Sequence, residues 1–319
     1  MSIINTSLNL GLLIISAVVL AKTVRVFVNS SSKIADLLGI SSYTISFLLV
    51  SLATSLPELV VSITSGIEKN TILAYGNAIG SNLALITLIV ALPILVGQKI
   101  STKGVIKSKD IYFSAFFLLL ALALALDGLV TRFDGLIMIS GYIVYVRAVL
   151  KKETLLETLV DRFEHTNVWK QGVLFSISLL LILAASEGIV TSAINLSSSL
   201  NLSLGYIGLT ITAIGTSLPE IAFALGVIKS RHREKDEIMG DVIGSVVANS
   251  TIVLGTAALI HPIDLHSSII GFPSMLILIS TLILFLAFSK SNEELDKKEA
   301  MALLGVYFLF LGVEYFLIV

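Results

Sequence analysis

The stretch Thr-Ser-Leu-Pro-Glu occurs at residues 54–58 and again at 216–220, each time inside a long apolar run. Each copy places an ionisable glutamate, Glu58 or Glu220, directly after a proline and near the middle of that run. A charged side chain costs about 2.5–3.5 kcal/mol or more at the centre of a bilayer, so a carboxylate at that depth is a candidate functional group. Two such carboxylates on matching segments of a duplicated chain are typical of transporters built from internal repeats.

The composition is that of an integral membrane protein. Of the 319 residues, 55% are hydrophobic and only 13% are charged, against about 25% charged residues in a soluble domain. The mean hydropathy is +0.98. The net charge of −1 gives no indication of a nucleic-acid partner, and the absence of cysteine excludes disulfides and thiolate metal sites. We therefore expect membrane lipid and small solutes as partners, with no cofactor and no obligate protein partner.

Ten apolar stretches are long enough, at about 20 residues each, to predict membrane-spanning helices. Their approximate bounds are 6–27, 42–67, 71–97, 110–127, 133–150, 168–191, 205–228, 237–260, 269–288 and 299–318. The sequence therefore predicts an all-α membrane protein with ten transmembrane helices. The longest polar connection, 151–167, lies at the midpoint of the chain and could form an amphipathic linker helix.

Basic residues are distributed very unevenly between the predicted loops. If the N-terminus is outside, all but two of the 21 lysines and arginines fall on the cytoplasmic side, the exceptions being Lys69 and Arg132. Loops rich in lysine and arginine stay on the cytoplasmic side of membrane proteins. We therefore expect both termini to lie outside.

A second motif repeats in step with the first. Gly-Asn-Ala-Ile-Gly-Ser at 76–81 corresponds to Gly-Asp-Val-Ile-Gly-Ser at 240–245. The motifs fall on predicted helices two and three of one half and on helices seven and eight of the other. Because each half has five helices, an odd number, the halves must form an inverted-topology repeat, whose natural site lies at the midplane.

The predicted division of the chain follows from this repeat. The first five-helix repeat is expected at 1–150, with its motif region at 51–85. A cytoplasmic linker at 151–167 leads to the second, inverted five-helix repeat at 168–319, with its motif region at 213–249.

The prolines of the first motif predict interrupted helices. Pro57 and Pro219 lack an N–H, so backbone carbonyls in the preceding turn are expected to lose their helical partners. Carbonyls freed in a bilayer are tolerated only when they are buried in protein or line a wet cavity. Together with nearby side chains they would form an all-oxygen shell, which suits a hard cation such as Na⁺ or Ca²⁺. The candidate donors are the carbonyls of Ser51 and Ala213, the hydroxyls of Thr54, Ser55, Thr216 and Ser217, and the carboxylates of Glu58 and Glu220.

The glycine motifs add polar side chains to the same region. Asn77 and Ser81 stand one helical turn apart, as do Asp241, Ser245 and Asn249, so each set forms a polar stripe along one helix. We predict ligand roles for Ser81, Ser245 and Asn249. Asn77 and Asp241 lie near the predicted helix starts, where capping or gating is as plausible as ligation. The glycines of both motifs form small-xxx-small pairs that allow close helix packing.

Three other acidic residues receive simpler interpretations. Glu187 and Glu314 lie near predicted outer helix ends, and Asp127 lies in a predicted loop. Snorkelling to the surface or capping of a helix accounts for each of them, so they are not predicted to act in the site.

The motifs resemble the α-repeats of the cation/calcium exchanger superfamily, which read G-T-S-L-P-E and G-N/D-x-x-G-S-N-x-x-N/D. The resemblance covers the ten-helix layout and is specific at Thr54–Glu58, Gly76–Ser81, Thr216–Glu220 and Gly240–Ser245. The chain looks most like the prokaryotic sodium/calcium exchangers. This resemblance implies alternating access in a prokaryotic cell membrane, with Na⁺ entry driving Ca²⁺ out. It also implies a central cluster of four cation sites lined by Ser51, Thr54, Ser55, Glu58, Ser81, Ala213, Thr216, Ser217, Glu220, Ser245 and Asn249.

The sequence departs from the family pattern at two of the ligand positions. Four residues after the motif serine the pattern has Asn or Asp, whereas the first repeat has Leu85 and the second has the neutral Asn249. The core site therefore offers two carboxylates instead of three, which bears on ion selectivity and on the family's usual three-to-one stoichiometry. The mitochondrial sodium/calcium exchangers resemble this chain in having Asn at the Asn249 position, and that group also accepts Li⁺.

The expected function is a secondary antiporter in which Ca²⁺ and Na⁺ bind mutually exclusively at Glu58 and Glu220. The alternatives are coupling to H⁺ and exchange of another cation, namely Li⁺, K⁺ or Mg²⁺. An intramembrane enzyme with Ser55 or Ser217 as nucleophile is disfavoured because no histidine lies in a predicted membrane helix to serve as its base. A sensor or scaffold that transports nothing would not need two midplane glutamates.

Overall fold

A computed structural model describes residues 3–38, 42–97, 100–101, 110–152, 166–197, 213–229, 236–266, 271–291 and 294–318. The helices in this part of the chain are α1 (Ile3–Leu38), α2 (Ser42–Ile45, Ser46–Val50 and Ser51–Thr54), α3 (Leu56–Ile67), α4 (Thr71–Ala84, Leu85–Ile89 and Val90–Leu95), α5 (Asp110–Leu124), α6 (Arg132–Lys152), α7 (Thr166–Ser197), α8 (Ala213–Thr216), α9 (Leu218–Lys229), α10 (Asp236–Ala248, Asn249–Val253 and Leu254–Ile260), α11 (Gly271–Ser291) and α12 (Lys297–Ile318). Four two-residue strands accompany them: β1 (Ile100–Ser101), β2 (Leu129–Val130), β3 (Ile263–Asp264) and β4 (Glu294–Leu295). Most of the predicted linker at 151–167 lies outside the described residues.

The helices are those of a multi-pass membrane protein. Within the described ranges, 6 helices are long and apolar enough to cross a bilayer, namely α1, α4, α7, α10, α11 and α12. The pair α2 and α3 would make a seventh span if counted as one bent element. Helix α5 is apolar but shorter, at 15 residues, and the residues that precede α8 are outside the described part of the chain.

Helices α4 and α10 form the centre of the protein. The spans Thr71–Leu95 and Asp236–Ile260 are 83% and 78% buried, whereas the span Lys297–Phe316 of α12 is only 28% buried. Each central helix packs against the last two helices of the other half: α10 against α5 and α6, and α4 against α11 and α12. The two motif-bearing helices therefore lie where both halves of the chain meet.

Both central helices widen into one π-helical turn at corresponding places, Leu85–Ile89 and Asn249–Val253. In each turn a threonine hydroxyl donates to the carbonyl four residues earlier: Thr87 to Leu83 and Thr251 to Val247, both at 2.5 Å. A side chain that competes for a helix carbonyl in this way bends or loosens the helix, and π-turns are frequent at functional sites. The duplication thus extends to a local distortion of the backbone.

The Leu-Pro-Glu motifs begin new helices, as the prolines predict. The chain bends by 45° between the segments Ser46–Thr54 and Leu56–Ile67, and Ser55 is the residue between α2 and α3. Ser217 occupies the same place between α8 and α9. Pro57 and Pro219 are the second residues of α3 and α9, where a missing N–H removes no intrahelical hydrogen bond.

Two short strand pairs each join a segment of the first half of the chain to a segment of the second half. Strand β1, after α4, pairs antiparallel with β4, before α12. Strand β3, after α10, pairs antiparallel with β2, before α6. Next to the second pair, the exposed Asp264 carboxylate hydrogen-bonds the backbone N–H of His266 and also the His266 ring. These two contacts, of which the backbone one is the stronger cause, hold the pKa of Asp264 below its usual value. The two pairs occupy equivalent positions in the duplicated chain.

The three acidic residues that were given simpler interpretations above behave differently from one another. Glu187 is exposed and accepts a hydrogen bond from Thr191, and Asp127 caps the backbone N–H of Leu129. The snorkelling or capping predicted for Glu314 is wrong, because its side chain is 0% exposed and bonds the hydroxyl of Ser274 on the neighbouring helix. Helices α11 and α12 pack closely enough there to enclose the carboxylate.

Candidate cation-binding site

The two helix breaks and the two central helices bring the predicted site residues together. Helix α2 packs against α10, and α8 packs against α4, so each motif of one repeat faces the other repeat. All of the predicted residues are buried, with none more than 5% exposed: Ser51, Thr54, Ser55, Glu58, Asn77, Ser81, Ala213, Thr216, Ser217, Glu220, Asp241, Ser245 and Asn249.

Glu58 receives hydroxyl groups from both repeats. Its Oε1 accepts from the hydroxyl of Ser81 at 3.3 Å and from that of Ser217 at 3.5 Å. Its Oε2 has no hydrogen-bond partner among the described residues. The carboxylate therefore keeps one oxygen available in the middle of the protein.

Glu220 is the less satisfied of the two glutamates. It is 1% exposed, and neither of its carboxylate oxygens has a hydrogen-bond partner among the described residues. A buried neutral polar group that lacks a hydrogen-bond partner costs about 1–3 kcal/mol in lost solvation, and a buried charged group costs more. A carboxylate in this condition is a strong candidate for direct contact with a cation.

The threonines of the two motifs contact equivalent residues on the opposite repeat. The Thr54 hydroxyl donates to Oδ1 of Asp241 at 3.3 Å, and the Thr216 hydroxyl donates to Oδ1 of Asn77 at 3.1 Å. Asn77 and Asp241 do not cap their helices, because both lie more than one turn inside them and are 0% exposed. Of the interpretations open at the sequence level, capping is therefore excluded.

The carbonyls of Ser51 and Ala213 are not freed by the helix breaks, contrary to the prediction. Each accepts the backbone N–H four residues later, from Ser55 at 3.0 Å and from Ser217 at 3.2 Å. The reason is that each break begins just after this last helical hydrogen bond. A carbonyl has two lone pairs, so a second interaction remains available, and the Ser245 hydroxyl lies 3.5 Å from the Ser51 oxygen.

The π-turns place the two departures from the family pattern at equivalent positions. Asn249 opens the π-turn of α10, is 0% exposed, and has no hydrogen-bond partner for either side-chain atom among the described residues. Leu85 opens the π-turn of α4 and is also 0% exposed. The amide of Asn82 reaches across and donates to the hydroxyl of Ser250 at 3.0 Å, a contact that the sequence did not predict.

Sequence reasoning also missed Ser62. It lies on α3 one turn beyond Glu58, is 0% exposed, and its hydroxyl has no hydrogen-bond partner among the described residues. The signal was present in the spacing, because Ser55 just before α3 is followed at three- and four-residue intervals by Glu58, Ser62 and Ser65, which form a polar stripe on α3. In the second repeat Ala224 and Val227 interrupt the equivalent stripe.

The cluster is rich in oxygen and poor in positive charge. The buried polar side chains of the described residues are serines, threonines, asparagines, aspartates and glutamates, with no lysine, arginine or histidine among them. No three Asp, Glu or His side chains converge on one point at metal-binding distance within the described ranges. Any cation bound here would therefore combine few carboxylates with hydroxyl, amide and carbonyl oxygens, as hard cations do.

Comparisons with known proteins agree with this chemistry. A family model described as "Sodium/calcium exchanger protein" matches residues 8–151 and 170–316. The chain is 30% identical over 302 residues to the "Putative antiporter CaxA" of Alkalimonas amylolytica, covering 91% of this chain and 92% of that protein. It is 26% identical to "Sodium/calcium exchanger MaX1" of Methanosarcina acetivorans, covering 98% and 99% of the two chains.

A solved structure has the same fold. The sodium-calcium exchanger NCX_Mj, soaked with 2.5 mM Na⁺ and 0.1 mM Ca²⁺, superposes with a TM-score of 0.82 at 25% sequence identity. The match covers 98% of this chain and 99% of that one.

Proposed function

Because the chain belongs to the sodium/calcium exchanger family of membrane antiporters, we propose that it exchanges Ca²⁺ for Na⁺ at the buried oxygen cluster around Glu58 and Glu220. The observation that carries this proposal is the pair of buried glutamates. They come from duplicated motifs, have three carboxylate oxygens without hydrogen-bond partners, and have no buried basic side chain of the described residues to neutralise them. Bound cations would supply the missing positive charge.

The ligands of this site are those that the motifs contribute. Glu58 and Glu220 provide the charge, and the remaining oxygen comes from Ser51, Thr54, Ser55, Ser81, Ala213, Thr216, Ser217, Ser245 and Asn249. Coupling follows from shared ligands, since a Ca²⁺ ion that occupies the two carboxylates leaves no room for Na⁺ at the same oxygens. The transporter then carries one kind of ion in each direction.

The arrangement in the membrane is an inverted repeat of ten spans. If α2 with α3 and α8 with α9 each form one broken span, the described helices make ten, five in each half. The two strand pairs support this arrangement. The β1–β4 pair joins the end of α4 to the start of α12, and the β2–β3 pair joins the equivalent end of α10 to the equivalent start of α6. The repeats would occupy 1–150 and 168–319 with a cytoplasmic linker at 151–167 between them, and both termini would face outside.

Alternating access would use α1 and α7 as the moving pair. These long helices pack on each other along their length and on α2, α8 and α9, whereas the strand pairs join the ends of α4 and α12 and the ends of α6 and α10. Phe27 of α1 stacks on Phe175 of α7 with ring centroids 4.8 Å apart and meets Phe223 of α9 edge-on at 6.2 Å. Sliding of this pair across α9 would open the site to one side at a time.

A second candidate is exchange coupled to H⁺, or exchange of Li⁺, K⁺ or Mg²⁺. The observation that favours it is the pair Leu85 and Asn249, which gives the site fewer oxygen ligands and a lower charge than the family pattern at those positions. A site with less negative charge balances a singly charged ion more easily than Ca²⁺, and Mg²⁺ is usually bound by only one or two carboxylates.

The experiment is Ca²⁺ uptake into proteoliposomes with outward Na⁺, Li⁺ or H⁺ gradients imposed one at a time. We expect the Na⁺ gradient to drive uptake. Uptake with the H⁺ gradient alone would instead favour the second candidate, and failure of all three gradients would contradict Ca²⁺ exchange altogether. Addition of an ionophore that dissipates the gradient is the control.

A further inference from the structure

Glu314 and Ser274 form a buried polar contact outside the motif segments. Glu314 lies near the end of α12 and Ser274 in the first turn of α11, and the Glu314 side chain is 0% exposed. The Ser274 hydroxyl donates to Oε1 of Glu314, and Oε2 has no hydrogen-bond partner among the described residues. The spans of the two helices are only 39% and 28% buried, so the carboxyl group is enclosed at the lipid-facing rim of the protein.

The fold does not require a carboxyl group at this position. Strands β2 and β4 hold equivalent places before α6 and α12, and counting from them sets Val149 of α6 opposite Glu314 of α12. Although Val149 is apolar, α6 packs against the π-turn of α10 as α12 packs against that of α4. A buried polar atom without a hydrogen-bond partner costs free energy. Its presence in one half alone indicates a role other than packing.

The segments packed against α11 and α12 bring no basic side chain near Glu314. Besides each other, these two helices pack on α4, α5 and β4. Lys298 lies more than four turns before Glu314 on α12, and Lys290 lies more than four turns after Ser274 on α11. At 1.5 Å per residue, each is about 24 Å away along its helix. The other ionisable residues of these segments are acids, phenols and one further lysine in the first turn of α12, namely Asp110, Glu294, Glu299, Tyr75, Tyr112, Tyr307, Tyr315 and Lys297.

A proton is the cation that this place can hold. A hard metal cation such as Ca²⁺ takes about six or more oxygen ligands, whereas Glu314 and Ser274 supply one carboxyl group and one hydroxyl group. No three Asp, Glu or His side chains of the described residues gather at metal-binding distance. A proton needs a single oxygen, and it converts the carboxylate to a neutral acid. A neutral acid is far less costly than an unpaired charge at a lipid-facing position.

Helices α11 and α12 support the central helix of the first repeat. Both pack against the π-turn Leu85–Ile89 of α4, and α12 also packs against Val90–Leu95. The contact between Glu314 and Ser274 joins the two supporting helices near one end. Loss of the proton would leave a buried charge without a basic partner. Because such a charge is costly, the carboxylate would turn toward water at the end of α12 and separate the helices there.

We propose that Glu314 is a proton-binding site separate from the cation cluster, and that exchange slows when an alkaline solution removes this proton. With the proton bound, Glu314 and Ser274 hold α11 against α12, and α4 keeps its support. With the proton lost, that support loosens at one end, and the π-turn of α4 is held less firmly beside the cation cluster. This inference goes beyond the proposed exchange, on which only its transport measurement depends.

The first test is thermal unfolding of the purified full chain between about pH 5 and about pH 9. It compares the unsubstituted protein with Glu314→Gln, whose amide is neutral at every pH. If Glu314 is a neutral acid in the folded protein and ionised in the unfolded chain, folding takes up a proton and stability falls as the pH rises. The Tm of Glu314→Gln relative to the unsubstituted protein should therefore increase with pH. A difference that stays constant or decreases would overturn the proton site.

Two further variants complete this test. Glu187→Gln removes an exposed carboxylate, and its Tm difference from the unsubstituted protein should not vary with pH. The same rise in Glu187→Gln would show that the effect does not belong to Glu314. Glu314→Val introduces the residue found at the equivalent place on α6, and its relative Tm should also increase with pH. If Glu314→Gln does not fold, Glu314→Val decides by the same criterion, and failure of both to fold would overturn the proposal.

The second test is Na⁺-driven Ca²⁺ uptake into proteoliposomes with the same pH on both sides of the membrane. Dividing the rate of the unsubstituted protein by that of Glu314→Gln cancels the titration of the groups that both proteins share. This ratio should be constant at low pH. It should then fall by up to about tenfold per pH unit once Glu314 ionises, because the protonated fraction falls tenfold per unit there.

The transport result separates the two claims. A ratio that does not fall in the pH range where the Tm difference rises would overturn the control of exchange by this proton. Absence of Na⁺-driven Ca²⁺ uptake in both proteins would instead overturn the proposed exchange function, and the Tm measurement would still decide whether Glu314 binds a proton.

Discussion

The hydroxyl of Thr54 donates to Oδ1 of Asp241 across 3.3 Å, although the two residues are 187 positions apart in the chain. The contact joins a helix break of one repeat to the central helix of the other. Its counterpart between Thr216 and Asn77 has nearly the same length but no charge. Two near-identical contacts with different chemistry allow the contribution of the charge to be measured within a single protein.

Replacement of Thr54 by Val should weaken Na⁺ binding more than replacement of Thr216 by Val. Valine keeps the shape of threonine and removes only the hydroxyl. A hydrogen bond to a charged group contributes about 1.5–3 kcal/mol and a neutral one about 0.5–1.5 kcal/mol, so Thr54→Val should raise the half-saturating Na⁺ concentration by about tenfold or more. Na⁺-dependent Ca²⁺ uptake over a range of Na⁺ concentrations measures both variants, and a larger effect of Thr216→Val would contradict the expectation.

Loss of either glutamate should abolish exchange. Glu58→Gln and Glu220→Gln keep the side-chain size but halve the charge that the central pair offers to a cation. Initial rates of Na⁺-driven Ca²⁺ uptake should fall to background in both variants. Glu187→Gln is the matched control, because Glu187 is exposed on α7 and accepts a hydrogen bond from Thr191. Normal uptake by both glutamate variants would remove these residues from the site.

Leu85→Asn should change ion selectivity without unfolding the protein. Leu85 and Asn249 open equivalent π-turns and are both fully buried, so an amide is compatible with the backbone at this position. The added oxygen should alter the relative rates of Na⁺- and Li⁺-driven Ca²⁺ uptake. The reverse change, Asn249→Leu, should reduce uptake with either ion. Identical Na⁺ to Li⁺ ratios in Leu85→Asn and the unsubstituted protein would mean that this position does not contact the ions.

Gly244→Ala should destabilise the protein because the helices meet too closely there for a methyl group. A Cβ at this position would collide with the Phe47 carbonyl and with the side chain of Ser51 on α2. Overpacking of this kind costs about 1–3 kcal/mol, and the displaced α2 would carry Ser51 and Thr54 away from α10. Thermal unfolding of the detergent-solubilised protein should show a lower Tm.

Gly305→Ala on α12 is the control for that substitution. Among the described residues, no heavy atom outside the adjoining stretch of α12 lies within 4 Å of where a Cβ at Gly305 would stand, and alanine is favoured over glycine in a helix by about 1 kcal/mol. Its Tm should be equal to or higher than that of the unsubstituted protein. A similar fall in Tm for both variants would mean that the contact between α2 and α10 is not the cause.

Much of the membrane character and the clustering of the motifs could be predicted from the sequence. Long apolar runs and repeated motifs depend on local composition, and the structure confirms several spanning helices and brings the motif residues together. The helix breaks at Ser55 and Ser217 also follow from the prolines, whose missing N–H is harmless only in a first turn. The ten-span inverted arrangement and the ion-binding roles stay predictions.

The details that the sequence could not supply depend on contacts between distant segments. The Ser51 and Ala213 carbonyls keep their hydrogen bonds because each helix break begins just after the bond from the N–H four residues later. Glu314 is enclosed because α11 and α12 pack tightly around it. The roles of Asn77 and Asp241 depended on which residue of the other repeat faces them, and no local pattern specifies such a partner.

The central claim is tested most directly by measuring, with isothermal titration calorimetry, how Na⁺ competes with Ca²⁺ for binding to the purified protein. We predict that Ca²⁺ binds the unsubstituted protein, that increasing Na⁺ raises its apparent Kd competitively, and that Glu58→Gln and Glu220→Gln each lose Ca²⁺ binding. Ca²⁺ binding that is insensitive to Na⁺, or that persists unchanged in both glutamate variants, would contradict a shared site at these two residues.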